Sequence, residues 1–560
     1  MLKFASQYLH KSVMVCAVNA LILGSALAAT IGSPNTVTAD PAVPRPSTTP
    51  CVVQLFQNQM FADFSPKPFS YAAPSACPGP WAKVVFEGDF LVTTGRQFDR
   101  TANIWIGGTN IYFGTTAEPG RDVSPMWHVE RDLTDYSAVL TSATAGEADL
   151  GNVVDGTYTG IIFGTAQIEF YPSDPNNPAP ATPDTVLPLA AGPTGETVAL
   201  FTTTDQLTQT FSLPQNIERA YLDVYAQSQS SDEFWYTCVP NDVAGELQSC
   251  PGTAFREAQV AVDGQPAGVA PVYPWIYTGG IDPYLWRPLP GVQTLNFSPY
   301  RVDLTPFAGV LSNGQPHQVA VSVYNSDSYF SATASLLLYL DHGSSVVTGA
   351  VTHNSIGSGP SPVVKENISV DPNGNITGTV STISNRKFKL AGYVDTSHGR
   401  VATQVVQGIK FSNLQSFDIT SILFKQDISQ GTAIYSTTTI DDNAGERINK
   451  RSLTWPLSVH IGFKSLPTGN FSQFTFIKQA NEQTDLQTAN GVPTYTQTLS
   501  NSARSADTLL FDGSFNLLGH SGQNSGQFYF TKDSTGYCYS EKLTATADLL
   551  ASITDGVGCP

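Results

Sequence analysis

Apolar residues recur along this chain at alternate positions or in short continuous runs bounded by turn residues. The segments ANIWIGGTNIYFG around Trp105, RAYLDVYAQS around Leu222 and SATASLLLYLDHG around Leu337 show the pattern well. Period-2 runs predict half-buried strands and fully apolar runs predict buried ones. Asp263-Gly264, between AQVAV and the next apolar segment, predicts a two-residue hairpin, because such turns need positive φ. No long stretch carries the three-to-four-residue spacing of a helix face. The chain is therefore expected to be all-β.

One motif occurs twice. DLTDYSAVL at Asp132 to Leu140 returns as DLTPFAGVL at Asp303 to Leu311, and upstream of each lies a strand and turn, IWIGG ending at Gly108 and VAVDG ending at Gly264. The offsets are 171 and 156 residues. Repetition in the same order predicts two copies of one β-sandwich with a longer loop in the second, over residues 51–190 and 191–347. A C-terminal β domain, 348–560, is expected to follow as hairpins such as ISVDPNGNITGTV and SGQFYFTKDSTGYCYS, with structural support as its simplest role. Six of the seven tryptophans lie between Trp81 and Trp286, which puts the expected chemistry in the first two domains.

The amino-terminal residues suggest an address. Lys3 and Lys11 precede the apolar run Val13 to Leu23, and Ala26-Leu27-Ala28 offers a small-residue cleavage site, so 1–28 reads as a signal peptide. Export to an extracytoplasmic or secreted location is then expected, with no later stretch of membrane-spanning length. Residues 29–50, rich in Thr and Pro, read as a flexible or polyproline-like linker. Loss of two lysines takes the formal charge from -18 to -20, which disfavours a nucleic-acid partner. Six cysteines would remain. Fifteen pairings are open to them, and the shortest loops, Cys51–Cys77, Cys238–Cys250 and Cys538–Cys559, ask least of the topology.

Composition narrows the chemistry further. The eight histidines are scattered without a zinc-binding spacing. Asp371, Asn373 and Asn375 begin like a calcium loop, but Thr382 stands where a bidentate Glu is needed. LGHSGQ around Ser521 lacks the second glycine of a nucleophile elbow, and phosphate-cradling glycine loops are absent. No metal and no cofactor are expected. Carboxylates among aromatics remain, a combination suited to sugars, since rings stack on apolar pyranose faces and carboxylates bind hydroxyls or move protons. Asp99 and Arg100 open the strand that carries Trp105, and Asp232 and Glu233 adjoin Phe234, Trp235 and Tyr236. Equally, Asp99 could be only a surface partner of Arg100, and Asp232-Glu233 a solvated turn over an aromatic plug.

The runs VVFEGDFLVTTGRQFDRTANIWIGGTNIYFGTTAEP, MWHVERDLTDYSAVL, DEFWYTC, GTAFREAQVAVDG and WIYTGGIDPYLWRPLPG, in that order across residues 80 to 345, resemble the peptide:N-glycanase A family. GYCYSEKLTATA near Cys538 resembles its C-terminal part. A more distant resemblance is to peptide:N-glycosidase F, a pair of eight-stranded jelly rolls with the site at their junction. It implies two jelly-roll-like sandwiches here, and hydrolysis of the amide between asparagine and the innermost N-acetylglucosamine of a glycopeptide. FDRTANIW carries the catalytic aspartate to Asp99 and an adjoining arginine to Arg100, and DEFWY carries the catalytic glutamate to Glu233. The implied roles are water activation for Asp99, proton donation or sugar positioning for Glu233, and support of Asp99 or of the oxyanion by Arg100. The first two roles are interchangeable at this stage. A third carboxylate has Asp155 as its nearest counterpart, with Glu118 and Glu130 unranked behind it. Asp232 is expected to bind substrate, and Trp127, Trp235, Trp275 and Trp286 to include sugar-stacking rings, with core packing as their other role. The enzyme is expected to be a monomer. The competing classes are a glycan-binding surface protein without catalysis and a glycoside hydrolase.

If the six cysteines pair locally, alkylation of the unreduced mature protein will leave its intact mass unchanged. Modification of two or more cysteines before reduction would contradict the pairing.

Overall fold

The computed structural model describes residues 29–190, 192, 194–357 and 359–559; the expected signal peptide, 1–28, lies outside the described residues. The first unit is built from β1 (Cys51–Phe61), β2 (Lys67–Tyr71), β3 (Trp81–Val92), β4 (Thr101–Ile106), β5 (Thr109–Thr115), β6 (Met126–Asp132), β7 (Thr144–Asp149) and β8 (Ile162–Pro172). These make two antiparallel four-stranded sheets in the orders β1-β8-β3-β6 and β2-β7-β4-β5. The core between them holds Phe86, Phe90, Tyr112 and Trp127.

The second unit repeats this order strand for strand. After β9 (Thr185–Pro188), it contains β10 (Val198–Leu200), β11 (Leu207–Ser212), β12 (Ile217–Gln229), β13 (Glu257–Val262), β14 (Gln265–Pro271), β15 (Tyr300–Asp303), β16 (Pro316–Tyr324) and β17 (Tyr329–Leu340). Its sheets run β10-β17-β12-β15 and β11-β16-β13-β14, so each strand corresponds to the one nine numbers earlier. Both units are jelly-roll sandwiches, and the sequence repeats mark equivalent places. Gly107-Gly108 and Asp263-Gly264 turn the hairpins β4–β5 and β13–β14. The two DLT motifs end β6 and β15 in the same way: Asp132 accepts the Thr134 N–H at 2.9 Å and Asp303 that of Thr305 at 3.0 Å. Leu133 and Leu304 are fully buried and donate to Val84 and Ala220. Strand β9 pairs with β17. The second sandwich thus begins before residue 190, earlier than expected, because an extra strand adds to its sheet edge.

From Thr348 to Asp555 the chain forms one eleven-stranded antiparallel sheet, largely of consecutive hairpins. Its long central strands include Gly399–Ile419, Leu423–Asp442, Gly445–Ser465 and Phe471–Ala489. Burial alternates along them, so one face is covered. That face shares a single apolar cluster with the second sandwich, through Phe411, Trp455 and Leu457 among others. The expected separate domain is instead a sheet laid over the second sandwich, since its apolar residues have no second layer of their own to bury against. Asp371, weighed as a calcium ligand, accepts the N–H groups of Asn373 and Asn375 in a turn of this sheet.

The buried face of the sheet also carries a ladder of amides. Asn413, Gln415 and Gln426 donate to the carbonyls of Tyr236, Cys238 and Thr237 at 2.8 to 2.9 Å. They are linked to one another as well: Gln426 donates to Gln415 at 2.7 Å and Gln415 to Asn413 at 3.0 Å. Irregular backbone at 236–238 is thereby satisfied without water.

Residues 30–50 form no strand, yet they are not the flexible linker expected. Gly32 and Ser33 pair with Leu550, Val37 donates to Pro288, and Thr36 to Met126. Arg45 sits among Glu87, Glu130 and Glu169. Proline and threonine predicted little apolar burial, and the segment is held by backbone hydrogen bonds and one arginine instead. The disulfides are Cys51–Cys77, Cys238–Cys250 and Cys538–Cys559, the three local pairs. Among the described residues no helix is long and apolar enough to cross a membrane.

Gln415→Leu strands the Cys238 carbonyl and two amide partners in a buried position. The expected cost is about 1–3 kcal/mol, read as a lower denaturant midpoint, whereas an unchanged midpoint would show that the ladder contributes nothing.

Candidate active site

The hairpin β4–β5 sets the first half of the site. Thr101 pairs with Thr115, and the ladder runs on outside the strands: Arg100 donates its N–H to the Thr116 hydroxyl at 2.9 Å and Thr116 donates to the Arg100 carbonyl at 2.8 Å. The residues flanking the hairpin, Asp99 before it and Glu118 after it, therefore lie side by side. The Asp99 N–H points at Glu118 Oε2, 3.4 Å away.

The second sandwich supplies the other half from two long loops. Beyond β12 the chain turns at Ser230, which has φ of 55°, and Glu233 closes that turn by donating to the Ser230 carbonyl. Between β14 and β15 the loop crosses to the first sandwich, where Thr278 donates to the Thr116 carbonyl at 2.6 Å and Arg287 to the Glu118 carbonyl at 2.8 Å. Gly279 sits between the two carboxyl groups. A β-carbon there would fall 2.3 Å from Glu118 Oε2 and 2.5 Å from Asp99 Oδ1; only a residue without a side chain lets the loop approach this closely.

Burial dominates the electrostatics. Glu233 is pushed up to about 8 by desolvation and then by the charges of Asp99 and Glu118. Glu118 is pushed up to about 7 by desolvation and Asp99, with Arg287 opposing. Asp99 is raised by burial, while the Gly279 N–H and the Arg100 charge favour its ionised form. Among the described residues none of the three makes a salt bridge. Like charges drawn together without a counter-ion cannot all ionise at neutral pH. Such an arrangement can keep one carboxyl group protonated beside an ionised one, as proton-transfer catalysis requires. A cleft of about 700 Å³ opens beside Glu118, walled by Phe98, Arg121, Tyr284 and Arg287. Arg96 lies over the rings of Phe98 and Tyr158 at 5.4 and 5.1 Å.

Of the residues expected from sequence, Asp99 and Glu233 come together. Arg100 is near, but its guanidinium bonds to Gln97 and Asn152 and reaches Asp99 only through space. Asp155 is exposed in a turn of its own, accepting from Thr157 and Tyr158, and Glu118 takes the third place. Glu130 lies elsewhere, with Arg45 and His128. Glu87, His128 and Glu130 are close enough to hold a cation, but the Arg45 guanidinium already occupies their neighbourhood.

Asp232 is not placed to bind substrate. It is 1% exposed, accepts two hydrogen bonds from Arg256, and takes the N–H groups of Asp327 and Ser328 on its other oxygen. With its lone pairs committed, it anchors the turn that carries Glu233.

The four tryptophans are core residues. Trp127 stacks on Phe90, Trp235 packs on Phe411, Trp275 lies 4.4 Å from Phe297 between ring centroids, and Trp286 donates to the Gly280 carbonyl. Each is at most 4% exposed, which leaves no open face for a pyranose. Sequence did not rank Glu118 because TTAEPG has no aromatic neighbours. Counting pairs outward from the Gly107-Gly108 turn, with the bulge between Ile104 and Trp105, would have put Ala117 opposite Asp99 and Glu118 beside it.

Residues 40–355 match the family described as peptide N-acetyl-beta-D-glucosaminyl asparaginase amidase A. Peptide-N4-(N-acetyl-beta-glucosaminyl)asparagine amidase A of Prunus dulcis is 32% identical over 390 residues, which cover 66% of this chain and 67% of that protein. Among solved structures, PNGF-II is 12% identical, with a TM-score of 0.37 over 52% of this chain and 66% of its own. PNGase F of Flavobacterium meningosepticum is 14% identical, with a TM-score of 0.34 over 52% and 96%. The chain thus spans about two thirds of the length of the almond relative.

Gly279→Ala tests the close approach. The protein should fold, and its turnover should fall by about 10²-fold, as displacements near 1 Å do elsewhere; full activity would show that Gly279 does not set the spacing of Asp99 and Glu118.

Proposed function

The chain belongs to the peptide N-acetyl-beta-D-glucosaminyl asparaginase amidase A family, and on that premise we propose how its site works. The enzyme hydrolyses the amide between an asparagine side chain and the innermost N-acetylglucosamine of an N-glycopeptide, leaving aspartate and a glycosylamine. The observation that carries the residue roles is the junction of three carboxyl groups, Glu118 buried and Asp99 and Glu233 half-buried, each raised by desolvation but facing different neighbours.

Asp99 is the base. It receives the Gly279 N–H and feels the Arg100 charge, both of which favour its ionised form against burial. It takes a proton from water as the water oxygen bonds to the amide carbon. Glu233 keeps its proton near neutrality and gives it to the departing nitrogen as the carbon–nitrogen bond breaks. Glu118, beside Asp99 and open to the cleft, is placed to hold the sugar or the attacking water. Arg287, held by the Glu118 carbonyl and the Tyr284 ring, is the candidate cation for the developing oxyanion. Every described cysteine is in a disulfide, so a thiolate route has no nucleophile here. The apolar leader and the disulfides support export.

The test is a fluorescent N-glycopeptide followed by mass analysis of the peptide product. Aspartate at the former glycosylation site is expected; a sugar left on asparagine would indicate a glycosidase instead. Asp99→Asn should lower kcat by about 10²- to 10⁴-fold. Because Glu233 must be protonated, kcat/KM should fall as pH rises through about 8. On the acid side it should fall as Asp99 takes up its proton. Glu233→Gln should slow the reaction and remove the alkaline limb, and persistence of that limb would move the acid role to Glu118.

A further inference from the structure

A second cavity, of about 420 Å³, lies between the second sandwich and the C-terminal sheet. This volume falls within the range of roughly 300–1,000 Å³ typical of small-molecule sites. It belongs to neither the three-carboxylate junction nor the cleft beside Glu118. The segment between β14 and β15 separates them. Tyr277, whose phenol donates to the Ser228 carbonyl, stands next to Glu233, while Trp275, two residues earlier, lines the second cavity.

We propose that this cavity is a second, non-catalytic carbohydrate site, which holds sugar rings of the glycan. Three tyrosines of the sandwich, Tyr221, Tyr300 and Tyr339, stand half-buried along one wall, offering apolar ring surface to pyranose C–H faces. Trp455 lies behind them, edge-on to Tyr300. The opposite wall is polar and already braced: Trp455 donates to Asn481 at 3.0 Å, and Arg451 to Asp485 at 2.7 Å. Of the cations on its walls, Arg301 is held by Asp223 and Asp135 and Arg451 by Asp485, Arg219 lies over one face of the Tyr339 ring at 4.0 Å, and Lys450 makes no salt bridge among the described residues. A polyhydroxylated ligand would find both donors and acceptors here. At the rim, Asn449 and Gln487 are exposed and free of side-chain hydrogen bonds among the described residues, so they are available to the ligand.

The carbohydrate class rests on the reading that the substrate is an N-glycan, and the experiment separates the two. The full chain is titrated by calorimetry with the free reducing pentasaccharide core of two N-acetylglucosamines and three mannoses, beside the Asn449→Ala/Gln487→Ala variant. Both positions are exposed strand residues, so the variant should keep its thermal midpoint. The variant should lose at least tenfold in affinity in one saturable binding event. Its kcat/KM on a glycopeptide bearing a single N-acetylglucosamine should be unchanged. A crystal soaked with the pentasaccharide should show a sugar ring against Tyr300. Unchanged affinity in the variant, or sugar bound only in the cleft beside Glu118, would overturn the proposal. If glycopeptides are not hydrolysed but Asn449 and Gln487 still govern pentasaccharide binding, the cavity assignment stands and the amidase reading falls. Hydrolysis without such dependence removes the cavity assignment alone.

Discussion

Three carboxyl groups taken out of water beside one another are the constraint that the rest of this structure answers. Holding Glu233 at about 8 instead of the 4.5 of a free glutamate disfavours its charged form by on the order of 5 kcal/mol. The sign of the coupling follows. A carboxyl group whose folded pKa is raised contributes stability that is present below about pH 4.5 and is lost as pH rises through about 8 for Glu233 and about 7 for Glu118. The junction thus works against the fold as pH rises through neutrality. It persists because each carboxyl-bearing segment is fixed by contacts made elsewhere: a β-hairpin for Asp99 and Glu118, and the Asp232–Arg256 pair and the amide ladder for Glu233.

Duplication explains how such a junction could be assembled. The two sandwiches share one strand order, but the site is not symmetric. The first copy gives the flanks of its β4–β5 hairpin. The second gives the loops that follow β12 and β14, and both are much longer than their counterparts after β3 and β5. The difference between the repeat offsets, 171 against 156, marks the loop between β14 and β15 that brings in Gly279 and Arg287. A common scaffold keeps the strands in register, and loop growth in one copy reaches across to the other.

What the sequence made legible follows the range of the interactions. Asp99 and Glu233 could be singled out because each stands in a local aromatic motif, and the DLT repeats revealed both sandwiches because the same turn chemistry closes the same strand. The three disulfides could be chosen because short loops limit the options. Glu118 needed strand register, which a glycine pair marks but does not prove. Tryptophans misled as sugar platforms because a large ring is favoured equally in a core, and only the fold shows that Phe90, Phe297 and Phe411 cover them. Asp232 looked like half of a catalytic pair, yet its partner Arg256 lies beyond the Cys238–Cys250 loop, too distant in sequence to be read as a salt bridge.

The C-terminal sheet was the least legible part, and the reason is chemical. Its covered face carries Asn, Gln and Thr beside its apolar residues, so alternation alone did not say which face was buried. These polar groups are required there because they meet loops, not another sheet. Regular strands satisfy their own carbonyls; the segments at 236–238 and 274–287 do not. An apolar cover would leave those carbonyls without donors at a cost of about 1–3 kcal/mol each. Side-chain amides and one hydroxyl supply the donors instead: Gln479 to Pro274, Ser505 to Leu285 and Gln523 to Arg287, beside the three at Tyr236, Thr237 and Cys238. The loops of the site are irregular so that Gly279 and Glu233 can approach from another domain, and that irregularity dictates a polar cover. The C-terminal sheet is therefore coupled to the three-carboxylate junction without lending a carboxylate to it: it holds the backbone on either side of Gly279 and just beyond Glu233, where small displacements would separate Glu233 from Asp99 and Glu118.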